Sequence, residues 1–269
     1  MIERFEQDNR LRGETLVRKG TTDIYEDRPQ IRIAPDLNVI KLGGHGIIDY
    51  GRKVVMPLVE ELGPLSLTDD ILIVTGGGVR VRHVLDVGLD LGMPTGVLAD
   101  LAGRISEQNA IMISLLLGAY NAVRISADDL LEIPSMMHLG QLPILPGTPP
   151  YGFFEYSGPG YEIPSHRTDT GAFLVAEVLG ARSCIIGKNV DGMYDKNPLK
   201  YDDAELIPDI TASELLEMNM EDMVCESKML ELMLHSRHLK EVKIVNAHHP
   251  GEITRVVRGE MPGTIIRAK

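Results

Sequence analysis

Lys41 is the penultimate residue of the apolar run LNVIKL, just before Gly43-Gly44. A lysine at the end of a strand, beside backbone that can approach closely, is placed to meet a phosphate as a point charge. About thirty residues on, ILIVTGGGVRVRH repeats the arrangement. Four apolar residues pass through Thr75 into Gly76, Gly77 and Gly78, then into a basic cluster with Arg80 and Arg82. Glycines without side chains let backbone N–H groups face an anion, and the arginines supply charge partners. A third break follows SCII, at Gly187 and Lys188. It leads into NVDGMYDKNP, where Asp191-Gly192 and Asn197-Pro198 are turn signals. This segment reads as a nucleotide-facing loop, with Lys188, Asn189, Asp191, Tyr194, Asp195, Asn197 and Pro198 as the binding candidates. Asp191 and Asp195 are candidates to hold Mg²⁺ or to orient phosphate-binding groups. Asp169, at the start of a helical pattern, either caps that helix or orients lysines around transferred charge, and both roles can hold together. Phosphoryl transfer asks for this inventory: lysines, backbone donors and a metal arranged around in-line oxygens.

The elements that must position these residues alternate. LNVIKL, ILIV, SCII and EVKIV read as strands, each followed or preceded by apolar residues at helical spacing. The helical stretches are IDYGRKVVMPLVEEL, VRHVLDVGLDLG ending near Gly92, SEQNAIMISLLLGAY, and RTDTGAFLVAEVLGA ending at Gly180. Met112, within the third, reads as core filler. Thr211 and Glu214 have capping-box spacing, and GTIIRA reads as a last strand. Such alternation predicts an α/β fold with a mainly parallel sheet covered on both faces. Ligands then gather outside the carboxyl ends of the strands, where the three glycine breaks fall. The proline- and glycine-rich segment from 132 to 165 reads as an excursion, a lobe boundary or lid outside the sheet.

Composition bounds the partners. The 269 residues carry 27 basic and 39 acidic side chains, a net charge of −12. That balance argues against nucleic acid or anionic membrane as a partner, while a local basic site needs only a few charges. No stretch reads as a signal peptide or a membrane span. Two cysteines, Cys184 in a core run and Cys225, fit a reducing cytoplasm rather than a disulfide framework. The eight histidines form no trusted metal pair; His235 and His238 read as a solvated helix face and His248-His249 as a surface loop. Residues 1–30 read as an N-terminal extension and 31–269 as a single domain.

KLGG, VTGGGVRVRH, RTDTGAF, NVDGMYDKNP and VNAHHPGEITRVVRGEMPGTII, in this order, resemble the amino acid kinase family. The resemblance implies a three-layer α/β/α sandwich on an eight-stranded, mainly parallel sheet. It implies ATP and Mg²⁺ bound in the half from 166 to 269 and an acceptor or oxoanion site in the half from 31 to 165. Within the family, VMPLVEEL, RHVLDVGLDLGMPTG, EQNAIM, PPY and HRTDTGAFLVAE resemble the molybdenum storage branch. That branch uses ATP to pack molybdate or tungstate into clusters inside a hexameric cage. One of its subunit types carries a histidine run after PPY, where this chain has Gly152-Phe153-Phe154-Glu155. His138 and Glu155 are what this chain offers toward an oxoanion cluster. A second resemblance is to uridylate kinases. There Asp100, in ADLAGR, parallels a segment that touches the nucleoside acceptor, and Lys228 parallels a lysine of the ATP half. YEIPSHRTDT does not reproduce the segment those kinases carry before the threonine–aspartate pair. The resemblance thus implies a homo- or hetero-hexamer that binds a nucleotide and either an oxoanion or a nucleoside monophosphate. It leaves open phosphoryl transfer, ATP hydrolysis, or nucleotide binding without turnover.

Overall fold

The computed structural model describes residues 29–147, 162–198, 200–220 and 222–269. Residues 32–269 form one compact unit, separate from residues 1–31. The extension expected over residues 1–30 lies almost wholly outside the described residues.

The first half runs β1 (Asn38–Leu42), α1 (Arg52–Leu65), β2 (Ile71–Thr75), α2 (Val79–Asp90), α3 (Thr95–Leu116), β3 (Ala122–Arg124), α4 (Ile133–His138) and β4 (Leu142–Pro146). The second runs α5 (Thr168–Leu179), β5 (Ser183–Lys188), β6 (Met193–Tyr194), β7 (Leu206–Ile207), β8 (Asp209–Thr211), α6 (Ala212–Glu217), α7 (Ser227–Met233), β9 (Glu241–Asn246), α8 (Glu252–Val257) and β10 (Thr264–Arg267). Eight strands form one sheet in the order β3-β4-β2-β1-β5-β9-β10-β8, and β6 and β7 form a separate antiparallel ribbon. Every pairing in the large sheet is parallel except β9 with β10.

The central strands are apolar throughout because both faces are covered. Alternation sends Val39, Leu72, Val74, Cys184 and Ile186 into a core with Phe173 and Leu179 of α5 and Met229 of α7. Their neighbours Ile40, Leu42, Ile73 and Ile185 face Leu58 of α1, Ile113 of α3 and Val256 of α8. This is the three-layer α/β/α sandwich, with a mainly parallel sheet and helices on both faces. Gly180 ends α5 in the left-handed conformation. Thr211 and Glu214 form the capping box that starts α6.

Three elements differ from their sequence reading. The segment from 132 to 165 is not wholly an excursion: β4 lies inside the sheet, between β2 and β3. Its two prolines are tolerated because they sit at the margins of the ladder. Leu142 N–H bonds the carbonyl of Asn121 toward β3, so the N of Pro143 faces β2, where pairing begins only at Ile144. Pro146 is the last residue of the strand. Residues 148–161 of this segment, read as a lobe boundary or lid, lie outside the described residues. Next, α3 begins eleven residues before Ser106, and Met112 is 42% exposed rather than core. Finally, α7 ends at Met233, so His235 and His238 stand beyond it in a turn. Among the described residues no helix is long and apolar enough to cross a membrane.

Both cysteines are free and buried. Burial, with the nearby Asp169 charge, pushes the Cys184 thiol far up and the Cys225 thiol up to about 12. Thiolate is the reactive form. Neither cysteine is therefore expected to react with a thiol reagent at about pH 8 in the folded protein, and both should react in denaturant. Rapid labelling of native protein would contradict this burial.

Candidate functional site

The site follows from strand register. Lys41 of β1 pairs with Ile186 of β5. Lys188 lies two residues further along β5, so alternation sends both ammonium groups to the same face of the sheet. The N-terminus of α5 packs on that face and delivers Asp169 between them. Lys41 Nζ lies 2.6 Å from Asp169 Oδ1, and Lys188 Nζ donates to Oδ2 at 2.7 Å. The Asp169 side chain is 3% exposed and that of Lys41 7%.

A buried cation, Lys41, and a half-buried one, Lys188, thus share one carboxylate. Burial would raise the Asp169 pKa, but Lys188 and Lys41 outweigh it and hold the group well below the ordinary carboxylate range. Burial lowers the Lys41 pKa, against the pull of Asp169. For Lys188, Asp169 prevails over burial and the pKa is raised. A second carboxylate stands behind Asp169. Glu226 accepts from the N–H groups of Asp169 and Thr170, both at 3.1 Å, and from the Thr170 hydroxyl at 2.7 Å. It caps the first turn of α5 from 57 residues away in sequence. The positive end of α5 is thereby satisfied internally, and Glu226 also pulls on both lysines, so that two carboxylates balance the two ammonium groups.

Lys41, Lys188 and Glu226 line a cleft of about 370 Å³, within the size range of small-molecule sites, and Asp169 lies behind the two lysines without lining it. Gly43, Gly44, Gly77 and Gly78 line it, together with Lys188, Asn189, Tyr194, Asn197 and Pro198. The glycines are needed for close packing of one loop on the other. A Cβ on Gly44 would run into the backbone N of Gly78, and one on Gly76 would lie 2.7 Å from Gly44 N. Gly44→Ala is therefore expected to part the two loops and to weaken nucleotide affinity at least tenfold, an order of magnitude being about 1.4 kcal/mol. Isothermal titration with ATP checks it, and unchanged affinity would contradict the packing.

Several sequence candidates lie elsewhere. Arg80 does not line the cleft. Its guanidinium bonds Gln108 at 2.9 Å and also Asn109, whose amide in turn donates to the carbonyl of Gly76 at 2.6 Å. Arg80 and Gly76 thus brace the glycine loop from behind, and Arg82 takes the cleft position. Asp191 accepts from Asn246 Nδ2 at 2.7 Å and ties the loop to the end of β9. Asp195 accepts from Glu205 N–H at 2.8 Å, and Lys228 pairs with Glu231 at 2.8 Å; neither lines the cleft. His138 ends α4, at the side of the sheet where β4 begins, opposite the carboxyl ends that carry the cleft. Glu155 lies outside the described residues. Asp100 is on the exposed side of α3, 3.7 Å from Arg104, while Ala99 and Ala102 turn toward the cleft.

The fit for a phosphate-bearing nucleotide is direct: glycine walls, the ammonium groups of Lys41 and Lys188, and Lys196 and Arg82 as further cations of the lining. The fit for Mg²⁺ is different. Among the described residues no three His, Cys, Asp or Glu side chains gather to hold a metal. Both Asp169 oxygens face lysines, and Asp222 Oδ2 accepts from Asn197 at 2.5 Å and Lys200 at 3.2 Å. The cleft suits a cation that arrives on the phosphates and keeps its waters.

Likeness to known proteins agrees with this geometry. The chain is 38% identical over 237 residues to the molybdenum storage protein subunit beta of Azotobacter vinelandii, covering 88% of each chain. It is 28% identical over 236 residues to the uridylate kinase of Methanocaldococcus jannaschii, covering 82% of this chain and 98% of that one. Uridylate kinase from Archaeoglobus fulgidus superimposes with a TM-score of 0.68 at 21% identity, over 85% of this chain and 99% of that one, which establishes the shared fold. Residues 36–247, which carry β1 and its lysine, the glycine triplet, Asp169 and Lys188, match the amino acid kinase family, and the chain belongs to that family.

Proposed function

We propose that this protein binds ATP and uses it to take up and store molybdate or tungstate oxoanions in an oligomeric assembly. The observation that carries the nucleotide part is the buried Lys41–Asp169–Lys188 set beneath glycine walls. Phosphoryl departure from ATP places negative charge on oxygens near the two ammonium groups, which are fixed in advance by Asp169 and need no reorganisation. Mg²⁺ bound to the phosphates would supply further charge compensation. Residues 166–269 contribute Lys188, Asn189, Tyr194 and Asn197 to the nucleotide. Residues 31–165 contribute Gly77, Gly78 and Arg82 to the acceptor end.

The oxoanion reading is supported by that end of the cleft and by the 38% identical storage subunit. Val81, Leu85, Ala99 and Ala102 form an apolar wall beside Arg82. An arginine against an apolar wall suits a compact oxoanion better than a ribose, whose hydroxyls need polar partners. Asp100, the group that would parallel nucleoside recognition, is turned away. The second reading, a uridylate kinase-like phosphotransferase, is favoured by the archaeal relatives.

We further assign a cytoplasmic, hexameric form, of one or two subunit types. Ile111, Met112, Leu115 and Leu116 form an exposed apolar stripe on one face of α3, which suits burial against another subunit. Light scattering tests this, and a single-chain mass would contradict it. The functional reading is tested by ADP release with molybdate, tungstate, UMP or no addition. Oxoanion-dependent release is expected. Stoichiometric UDP would make the protein a nucleotide kinase, and ATP binding without turnover under every condition would make it a non-catalytic nucleotide-binding oligomer.

A further inference from the structure

The glycine triplet leads into α2 as though the helix N-terminus were offered to a bound anion. The structure fills that place with a carboxylate of the chain itself. Val79 N–H, the first of α2, donates to Asp49 Oδ2 at 2.7 Å. Gly78 enters the helix at φ +79°, a region that disfavours side chains, and a Cβ there would collide with the Asp49 carboxylate. Asp49 reaches this point from the other glycine loop. Its N–H donates to the carbonyl of Gly44 at 2.9 Å, and Ile48 N–H to that of Gly43 at 3.1 Å. The first turn of α2 has no acidic residue of its own and no side-chain cap at Gly78. Asp49 therefore supplies the cap from thirty residues away and places a negative charge where the helix would favour an anion.

The consequence lies at the acceptor end of the cleft, which Gly78 and Arg82 both line. We infer that Asp49 is a specificity-determining residue for the acceptor anion. It occupies the Val79 N–H, so that the anion is held at Gly77, Gly78 and Arg82 without that donor, and its charge weakens the binding of anions there. This rests on the reading of that end as an oxoanion site. ATP, whose contacts lie toward Lys188 and Asn197, is affected less.

Asp49→Asn removes the charge and keeps an amide oxygen that can accept from Val79 N–H, whereas Asp49→Ser, too short to span the two loops, removes charge and contact together. Isothermal titration of molybdate, and separately of ATP, into wild type, Asp49→Asn and Asp49→Ser at low salt tests the inference. Both variants should bind molybdate about 2–5-fold more tightly than wild type, the range expected for one charge at a helix end. ATP affinity should change less than about twofold by the same measure. The gain should fade at about 1 M salt, where exposed charges are screened. A purely structural clasp would leave molybdate affinity unchanged or lower in both variants, and that result would overturn the inference. An equal gain for ATP and molybdate would overturn its restriction to the acceptor. Wild type and variants that all fail to bind molybdate, yet bind ATP, would remove the oxoanion reading and this inference with it.

Discussion

Asp169→Asn is expected to destabilise the protein by about 3–5 kcal/mol and to abolish ATP turnover. The substitution strips the shared counter-charge from the buried Lys41 and half-buried Lys188 ammonium groups. Uncompensated, they either bear the cost of desolvation or lose protons, and in both cases the charge meant for phosphoryl oxygens is gone. The pH dependence has a definite sign. The Asp169 pKa is depressed in the folded protein, so its stabilising contribution is fully present above the unfolded value of ~3.9. It is lost as pH falls through the depressed folded value. The Lys188 pKa is raised, so its share is present below the unfolded value of ~10.4 and is lost as pH rises through the folded one. Urea unfolding of wild type and variant should show the largest gap between these limits and convergence only in strong acid or strong base. A gap below about 1 kcal/mol at neutral pH, the scale of an exposed pair, would contradict the buried network.

Lys41→Ala separates chemistry from stability. Asp169 keeps Lys188 at 2.7 Å, so the carboxylate remains compensated and the fold should persist with a smaller loss than Asp169→Asn. Turnover should fall by about 10²–10³, the scale for removing one preorganised charge donor from a site that excludes water. Circular dichroism and ADP release on the same preparation check both halves. An unchanged rate would remove Lys41 from the mechanism.

The sequence carried the glycine breaks plainly, because each is a local event: an apolar strand that stops on residues without side chains. Lys41 and Lys188 were each visible as lysines at such breaks. Their convergence on Asp169 depends on the β1–β5 register, which neither segment contains. Glu226 and Asp49 could not be found by spacing, since each caps a helix 57 or 30 residues away in the chain. Arg80 and Arg82 were offered together. The start of α2 at Val79 decides between them, turning Arg80 toward Gln108 and Asn109 of α3 and Arg82 toward the cleft. β4 was hidden by Pro143 and Pro146, whose missing N–H groups matter little at the margins of a ladder. Cleft residues on α3 were missed for a related reason: Gly96 and Gly103 weaken the helical signal over the first turns of a helix that tertiary packing nevertheless completes.

On the proposed function, ATP drives this protein to retain an oxoanion. The most direct measurement is molybdenum and tungsten content by elemental analysis after the protein is incubated with either oxoanion and freed of small molecules. Parallel samples would contain ATP with Mg²⁺, a non-hydrolysable analogue, or no nucleotide. Retention of several metal atoms per chain with ATP alone is the expected result. Equal retention in all three, or none in any, would contradict the account.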